Sequence, residues 1–182
     1  MTVRQILLRG FPGAGKSTFG RLLQAQIPRS QYISSGQLLR EKAKTDTQLM
    51  QVLSQGKLVD SHIVMDIMNS ELKKTTAEVF IIDGFPRKLG EIKQWVSLTS
   101  LPDLVVYLDL PKEAIIDRIL NRIVCPQCGM NYNSYTDVNT DPILPKSQGI
   151  CDQCGSNLAT RSDDTTTAIR NRLDENAAQE DQ

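Results

Sequence analysis

Four short apolar runs punctuate the chain: Ile6-Leu7-Leu8, Gln31-Tyr32-Ile33, Val79-Phe80-Ile81-Ile82, and residues 104–108. Each is too short for a helix. Those at 6–8, 79–82 and 104–108 lack polar alternation, so they predict buried strands covered on both faces. Between the runs, apolar residues recur at helical spacing. A helix is predicted over residues 18–27, stopped before Pro28, and another from Leu38-Leu39-Arg40 behind the capping stretch Ser34-Ser35-Gly36. A third covers residues 45–55 and is closed by Gly56. Asp60 caps a fourth, whose stripe is Ile63, Val64, Ile67, Met68 and Leu72. Leu89, Ile92, Trp95 and Val96 mark a fifth. Pro111 opens a sixth, carrying Ile115, Ile116, Ile119, Leu120 and Ile123. A last helix is predicted over residues 163–175, with the polar tail 176–182 frayed. Strands alternating with helices predict βαβ units and therefore an α/β fold with a parallel sheet. Between Cys125 and Cys154 the helical period disappears and Cys, Asn, Gly, Pro and Tyr take over, as in an inserted module.

The first strand runs into Gly10-Phe11-Pro12-Gly13-Ala14-Gly15-Lys16-Ser17, which matches G-x-x-x-x-G-K-[ST]. Such a loop turns backbone N–H groups onto phosphate oxygens. Lys16 reaches the terminal phosphates, the Ser17 hydroxyl sits on Mg²⁺, and the following helix points its positive end at the anion. Asp83 ends the third strand, where P-loop proteins place a carboxylate that helps hold Mg²⁺.

Composition narrows the rest. The chain has 182 residues, with 21 Lys+Arg against 21 Asp+Glu and zero formal net charge. That balance removes a general electrostatic case for nucleic acid or an anionic membrane. No run approaches the ~20 residues of a membrane span, and no leader pattern is visible, so a cytosolic chain is expected. Arg40, Arg87, Arg118, Arg122, Arg161 and Arg172 sit near turns or the edges of the insert; Arg118 and Arg122, four apart, are expected on one helix face. Guanidinium forks suit an expanding phosphoryl anion, but spacing alone assigns none of them. Cys125-Pro126-Gln127-Cys128 and Cys151-Asp152-Gln153-Cys154 are all the cysteines present. Two C-x-x-C turns in a reducing compartment predict a closed, structural Zn²⁺ site. The single histidine, His62, has no partner motif.

Taken together these residues resemble the adenylate kinase family of the zinc-lid type. The resemblance rests on GFPGAGKST (10–18), YISSGQLLR (32–40), QGKLVD (55–60), IIDGFPR (81–87), DRILNRIVCPQCG (117–129), CDQCG (151–155) and TRSDD with RNRL (160–173). It implies a P-loop core of residues 1–33, 60–122 and 165–182, a nucleoside-monophosphate-binding insert at 34–59 and a zinc lid at 123–164. The implied reaction is reversible: MgATP and AMP give two ADP.

The resemblance also implies roles. Gly13, Ala14, Gly15, Lys16, Ser17 and Thr18 would bind ATP phosphates. Asn131 and Tyr132 would belong to an ATP-contacting lid strand. Ser35, Arg40, Lys57, Leu58 and Val59 would line the AMP pocket. So would Gly84, Phe85, Pro86 and Glu91, with Arg87 on the AMP phosphate. Arg122, Arg161 and Arg172 would converge on the transferred group, steered by Asp163 and Asp164. A monomer is implied.

Four features depart from the family pattern. Glu91 stands where a glutamine reads adenine; an ionised carboxylate only accepts hydrogen bonds, which would suit guanine. Gln37 replaces an aspartate. The stretch between Arg40 and Gly56 is about one helical turn short. The family pattern continues through one more strand and helix, so residues 104–108 are expected at a sheet edge. Three alternatives stay open: a kinase with a shifted acceptor such as GMP, a nucleotide-binding regulatory module without turnover, and a zinc-ribbon nucleic-acid binder. The last is disfavoured because the loop from Cys128 to Cys151 has one lysine and no arginine.

Overall fold

The computed structural model describes residues 4–136 and 141–180; the expected first strand, lid and tail extend beyond these at residues 1–3, 137–140 and 181–182, which lie outside the described residues. Strands β1 (Arg4–Arg9), β2 (Ser30–Ser34), β3 (Val79–Asp83) and β4 (Leu104–Tyr107) form one parallel sheet in the order β2-β3-β1-β4. Alternate residues serve opposite faces. Leu7, Ile33, Phe80 and Ile82 pack with residues of α2 (Ser35–Ala43), α3 (Thr47–Ser54), α4 (Ser61–Leu72) and α5 (Leu89–Leu98). Leu8, Tyr32 and Ile81 pack on the other face against Phe19 and Leu23 of α1 (Lys16–Gln26). The approach is close, since a Cβ on Gly20 would stand 2.4 Å from the Tyr32 ring. A separate cluster of Phe11, Ile115, Ile119, Ile169 and Leu173 joins the P-loop to α6 (Lys112–Leu120) and α7 (Thr166–Glu180).

The expected caps at Ser34 and Asp60 form, and Asp46, expected inside its helix, caps it instead, so that α3 starts at Thr47. Ser34 Oγ accepts from Gln37 N, Asp46 Oδ1 from Leu49 N at 3.0 Å, and Asp60 Oδ1 from His62 N at 2.8 Å. Several expectations are corrected. α1 starts at Lys16, not residue 18, because Gly15 at φ +93° turns the chain straight into the helix. α7 starts at Thr166, where the Thr165 hydroxyl accepts from Ala168 N, so Asp163 is left outside. The tail is not frayed within the described residues: the helix runs to Glu180, and Ala177 packs on the Phe11 cluster. On α4 the inner stripe is Val64, Met65 and Met68, with Ile63 turned outward. α5 buries only Glu91 and Trp95, leaving Leu89 and Ile92 exposed, because the Trp95 indole is drawn inward to Gln5 Oε1 at 2.8 Å. α6 ends at Leu120, so Ile123 and Arg122 fall on a strand rather than on its face. β4 is an edge strand and is not covered on both faces: Leu104, Val105 and Tyr107 are each about half exposed.

The insert after α6 is a small β module. β5 (Arg122–Val124) pairs antiparallel with β6 (Asn131–Asn133), and single bridges join Val124 to Ala159 and Ile150 to Asn157. Its core is Cys125, Tyr132 and Cys151.

Candidate functional site

Parallel strands deliver all their carboxyl ends to one side of the sheet, and a cleft of about 560 Å³ opens there. β1 hands over to the P-loop, whose Gly13 and Gly15 take φ +84° and +93°. Lys16 Nζ donates to the carbonyls of Gly10 and Phe11, both at 2.7 Å. Burial pulls its pKa down to about 8; Asp83 opposes this, while Arg87, Arg9 and Arg122 add to it. Asp83, at the end of β3, accepts from the Tyr32 hydroxyl at 2.6 Å. Burial and then Asp83 push that phenol well above its usual value, so it remains a donor.

Arginines converge on the cleft from three elements and one loop. Arg122 on β5 forks Asp164, through Nε at 2.9 Å and Nη2 at 2.6 Å. Arg172 on α7 donates to Asp163 at 2.5 Å and lies 3.8 Å from Asp164. Arg40 on α2 lies 3.8 Å from Asp163. Arg161 Nη2 donates to Asn131 Oδ1 at 2.9 Å, and Asn131 Nδ2 lies 3.4 Å from Ser17 Oγ. Burial lowers the pKa of Arg40, Arg87 and Arg161, with neighbouring guanidinium groups adding to it, and that of Arg161 reaches about 9. Burial alone would raise Asp163, but Arg172 and then Arg40 hold it below the usual carboxylate range. Two carboxylates among four guanidinium groups leave an excess of buried positive charge, which an anion of several charges would neutralise.

The remaining candidates divide by position. Lys57, Leu58, Val59 and Gly84 line the cleft, as do Gly13, Gly15 and Thr18. Arg87 lines it too, its Nε donating to Gly84 O at 2.6 Å. Ser35, Phe85 and Glu91 line a small side cavity of about 30 Å³ that continues past Val59 and Arg87. The Ser35 hydroxyl is buried there without a hydrogen-bond partner. Ala14 and Pro86 line neither space. Glu91 caps α5: Oε2 accepts from Arg87 N at 2.7 Å and Lys88 N at 3.3 Å, and Oε1 accepts from Ser61 Oγ at 2.5 Å. The Tyr132 phenol turns into the cysteine cluster, accepting from Asp152 N at 2.8 Å.

Sequence reasoning missed several contributors. Arg118, noted only for its spacing, donates to Gly13 O at 3.3 Å. Arg9 donates to Pro86 O at 2.6 Å and so anchors the loop that carries Arg87. Glu175 accepts from Leu58 N at 3.0 Å, tying α7 to the wall of the cleft. Arg9 at the end of a strand that enters a P-loop was the one visible signal.

The four cysteine sulfurs all lie within 4.8 Å of one another, with Cys125–Cys154 at 3.4 Å and Cys128–Cys151 at 3.5 Å. Tetrahedral Zn–S bonds of about 2.3 Å put sulfurs about 3.8 Å apart, so the set fits that ion. No helix among the described residues is long and apolar enough to cross a membrane.

Comparison with known proteins matches residues 8–182 to the adenylate kinase family model. The chain is 35% identical to "Adenylate kinase 1, chloroplastic" of Arabidopsis thaliana over 93% of its own length and 63% of the relative's. It thus spans less than two thirds of that protein. It is 36% identical to an adenylate kinase of Kosmotoga olearia, covering 92% of this chain and 79% of the relative. A "GTP:AMP phosphotransferase" of Plasmodium falciparum is 32% identical, with 93% and 78% covered.

Proposed function

Because the chain belongs to the adenylate kinase family, we propose that it catalyses reversible phosphoryl transfer from MgATP to AMP, giving two ADP. The observation that carries this reading is the convergence of Lys16, Arg40, Arg87, Arg122, Arg161 and Arg172 on one cleft. Phosphoryl transfer asks a protein for positioning and for positive charge around an expanding anion, and little else.

The P-loop, residues 13–18, would bind the ATP phosphates. Lys16 would exchange its two carbonyl partners for phosphate oxygens. Ser17 and Asp83 would hold Mg²⁺, which supplies charge neutralisation. Arg122 and Arg161, with Asn131, would grip the donor phosphates from the lid. Arg87 would hold the acceptor phosphate, assisted by Arg40 and Arg172. Ser35, Leu58, Val59, Phe85 and Glu91 would surround its base. A lid that excludes water keeps transfer on the acceptor rather than on hydrolysis. The chain would divide into the core, the acceptor insert at 34–59 and the lid at 123–164. Cys125, Cys128, Cys151 and Cys154 would hold a structural Zn²⁺.

Glu91 supports adenine over guanine as the acceptor base. A carboxylate has about four acceptor positions, and Glu91 has three occupied by Arg87 N, Lys88 N and the Ser61 hydroxyl. One remains, enough for a single exocyclic amino group but not for the paired N–H edge of guanine. The working state proposed is a monomer in the cytoplasm; fractionation would test the compartment, since one relative's name places that protein in the chloroplast.

The deciding experiment is ADP formation from ATP and AMP by the 182-residue chain, with GTP as a second donor and GMP, CMP and UMP as other acceptors. ADP formation with AMP preferred supports the reading. Nucleotide binding without turnover would replace it with a regulatory role, and preference for GMP would overturn the acceptor assignment.

A further inference from the structure

Arg21 on α1 is not among the reaction residues, yet it meets two other parts of the molecule. Its Nη2 donates to Gln37 Oε1 at 3.3 Å and to the Cys128 carbonyl at 3.2 Å. One guanidinium therefore touches both α2, on the acceptor side of the cleft, and the first cysteine turn of the lid. It also stacks over the Tyr32 ring, 5.7 Å from the centroid, and Tyr32 is the residue whose hydroxyl holds Asp83.

Gly129, directly after Cys128, completes the fit. A Cβ there would stand 2.9 Å from Arg21 Nη2 and 3.2 Å from the Gln37 side chain. Gly155 holds the same place in the second cysteine turn. Its backbone is nearly identical, φ +71° against +73°, but nothing lies within 4 Å of where its Cβ would be. The two turns are thus alike in local geometry, and only the first is seated against the rest of the protein at this position.

We propose that the first cysteine turn is the docking face of the lid and that Arg21 with Gln37 is its receptor, so that lid closure depends on α2 being in place. The inference rests on the phosphotransfer reading for its kinetic consequence but not for its geometry. Arg21 is a positioning residue. It acts on the donor phosphates through the lid, by seating the strand pair that carries Arg122 and Asn131. Gln37 fixes the guanidinium from the acceptor side, so displacing α2 leaves the Cys128 carbonyl with a less ordered donor. Holding all four cysteines together keeps that carbonyl presented.

The test compares Gly129→Ala, Gly155→Ala, Arg21→Ala and Gln37→Glu. The lid-to-core distance is followed by energy transfer between dyes on unnatural keto side chains at Ser97 and Asn157, which spares the native thiols. Measurements are made with a non-hydrolysable ATP analogue plus AMP. Gly129→Ala and Arg21→Ala are expected to lower the closed fraction and raise KM for ATP about tenfold, with kcat changed less. Gly155→Ala carries the same backbone strain without the contact and should match the parent, whereas Gln37→Glu, which places a charged acceptor opposite Arg21, should hold or raise the closed fraction. Zinc content should stay at one per chain throughout. If Gly129→Ala loses metal, Arg21→Ala, outside the lid, decides. Equal distances and equal KM in Arg21→Ala and the parent would overturn the proposal. A chain that closes as described but makes no ADP would refute the phosphotransfer reading and leave the docking intact.

Discussion

Arg122 grips Asp164 through both prongs of its guanidinium, with Nε to Oδ2 at 2.9 Å and Nη2 to Oδ1 at 2.6 Å. The carboxylate fixes a cation that would otherwise be mobile in a crowd of cations. Arg122→Ala should lower kcat/KM by about 10²–10³-fold, as loss of a preorganised donor does. Asp164→Ala should cost about tenfold less, because Asp164 acts through Arg122. The double variant should match Arg122→Ala alone. A coupled ADP assay reads all three, and strictly additive losses would contradict the pairing.

Lys16 carries the pH prediction. Its value in the free chain is about 8, below the ordinary 10.5. A lysine lowered by folding opposes folding while it is charged, so this penalty is present below pH 8 and fades between pH 8 and 10.5. Capture of ATP needs the charged form. Accordingly kcat/KM for ATP should fall as pH rises above about 8. The kcat at saturation should hold, since bound phosphate oxygens restore the proton. Lys16→Arg should abolish the alkaline fall, and Lys16→Ala should lower turnover by about 10²-fold or more without unfolding the chain.

Removal of metal should loosen the lid before the core. The four cysteines all lie between Cys125 and Cys154, in a module whose strands β5 and β6 pair with each other and not with the parallel sheet. Purified protein should contain about one Zn²⁺ per chain. A chelator should speed hydrogen exchange at β5 and β6 and leave β1 and β3 protected. Uniform loss of protection would show that the module is integral to the core.

Glu91 couples stability to acceptor choice. Glu91→Gln can keep its oxygen on Arg87 N and Lys88 N and turn its amide N–H toward the Ser61 hydroxyl, which also accepts, so the partners stay matched but every bond loses the carboxylate's charge. Destabilisation of about 1–2 kcal/mol is expected in urea unfolding. The parent should favour AMP over GMP, and the variant should keep that order. Better turnover of GMP by either protein would show that the base meets the carboxylate in another way.

Much of the site was legible because its chemistry is local. Gly13, Gly15 and Lys16 act within one loop, each C-x-x-C turn forms over four residues, and Ser34 and Asp60 cap the helices that directly follow them. What sequence hid was orientation and long-range pairing. Leu89 and Ile92 read as core residues, yet α5 turns Trp95 inward, where it packs edge-on against Phe85 and donates to Gln5, ninety positions away. The run at residues 104–107 reads as buried from its hydrophobicity alone, whereas its edge position is as the departure from the family pattern implied. The three protein partners of Glu91 could not be read from sequence, because they come from a helix start and from Ser61 on another element. Arg21 carried no motif, Arg9 only its place before the P-loop, and their partners appear only where chain segments far apart in sequence meet.

α7 offers its polar side to the cleft and to the wall formed by residues 55–58. Arg172 faces the phosphoryl cleft, Asn171 donates to Gln55 O at 3.0 Å, and Glu175 accepts from Leu58 N. One helix thus ties the wall formed by residues 55–58 to the cluster of arginines and carboxylates. Swinging that wall outward would break bonds to the same helix that carries Arg172. Under the proposed phosphotransfer, opening the acceptor site and slackening the charge cluster would be mechanically one event, and an enzyme geared this way would resist firing with its acceptor seat empty.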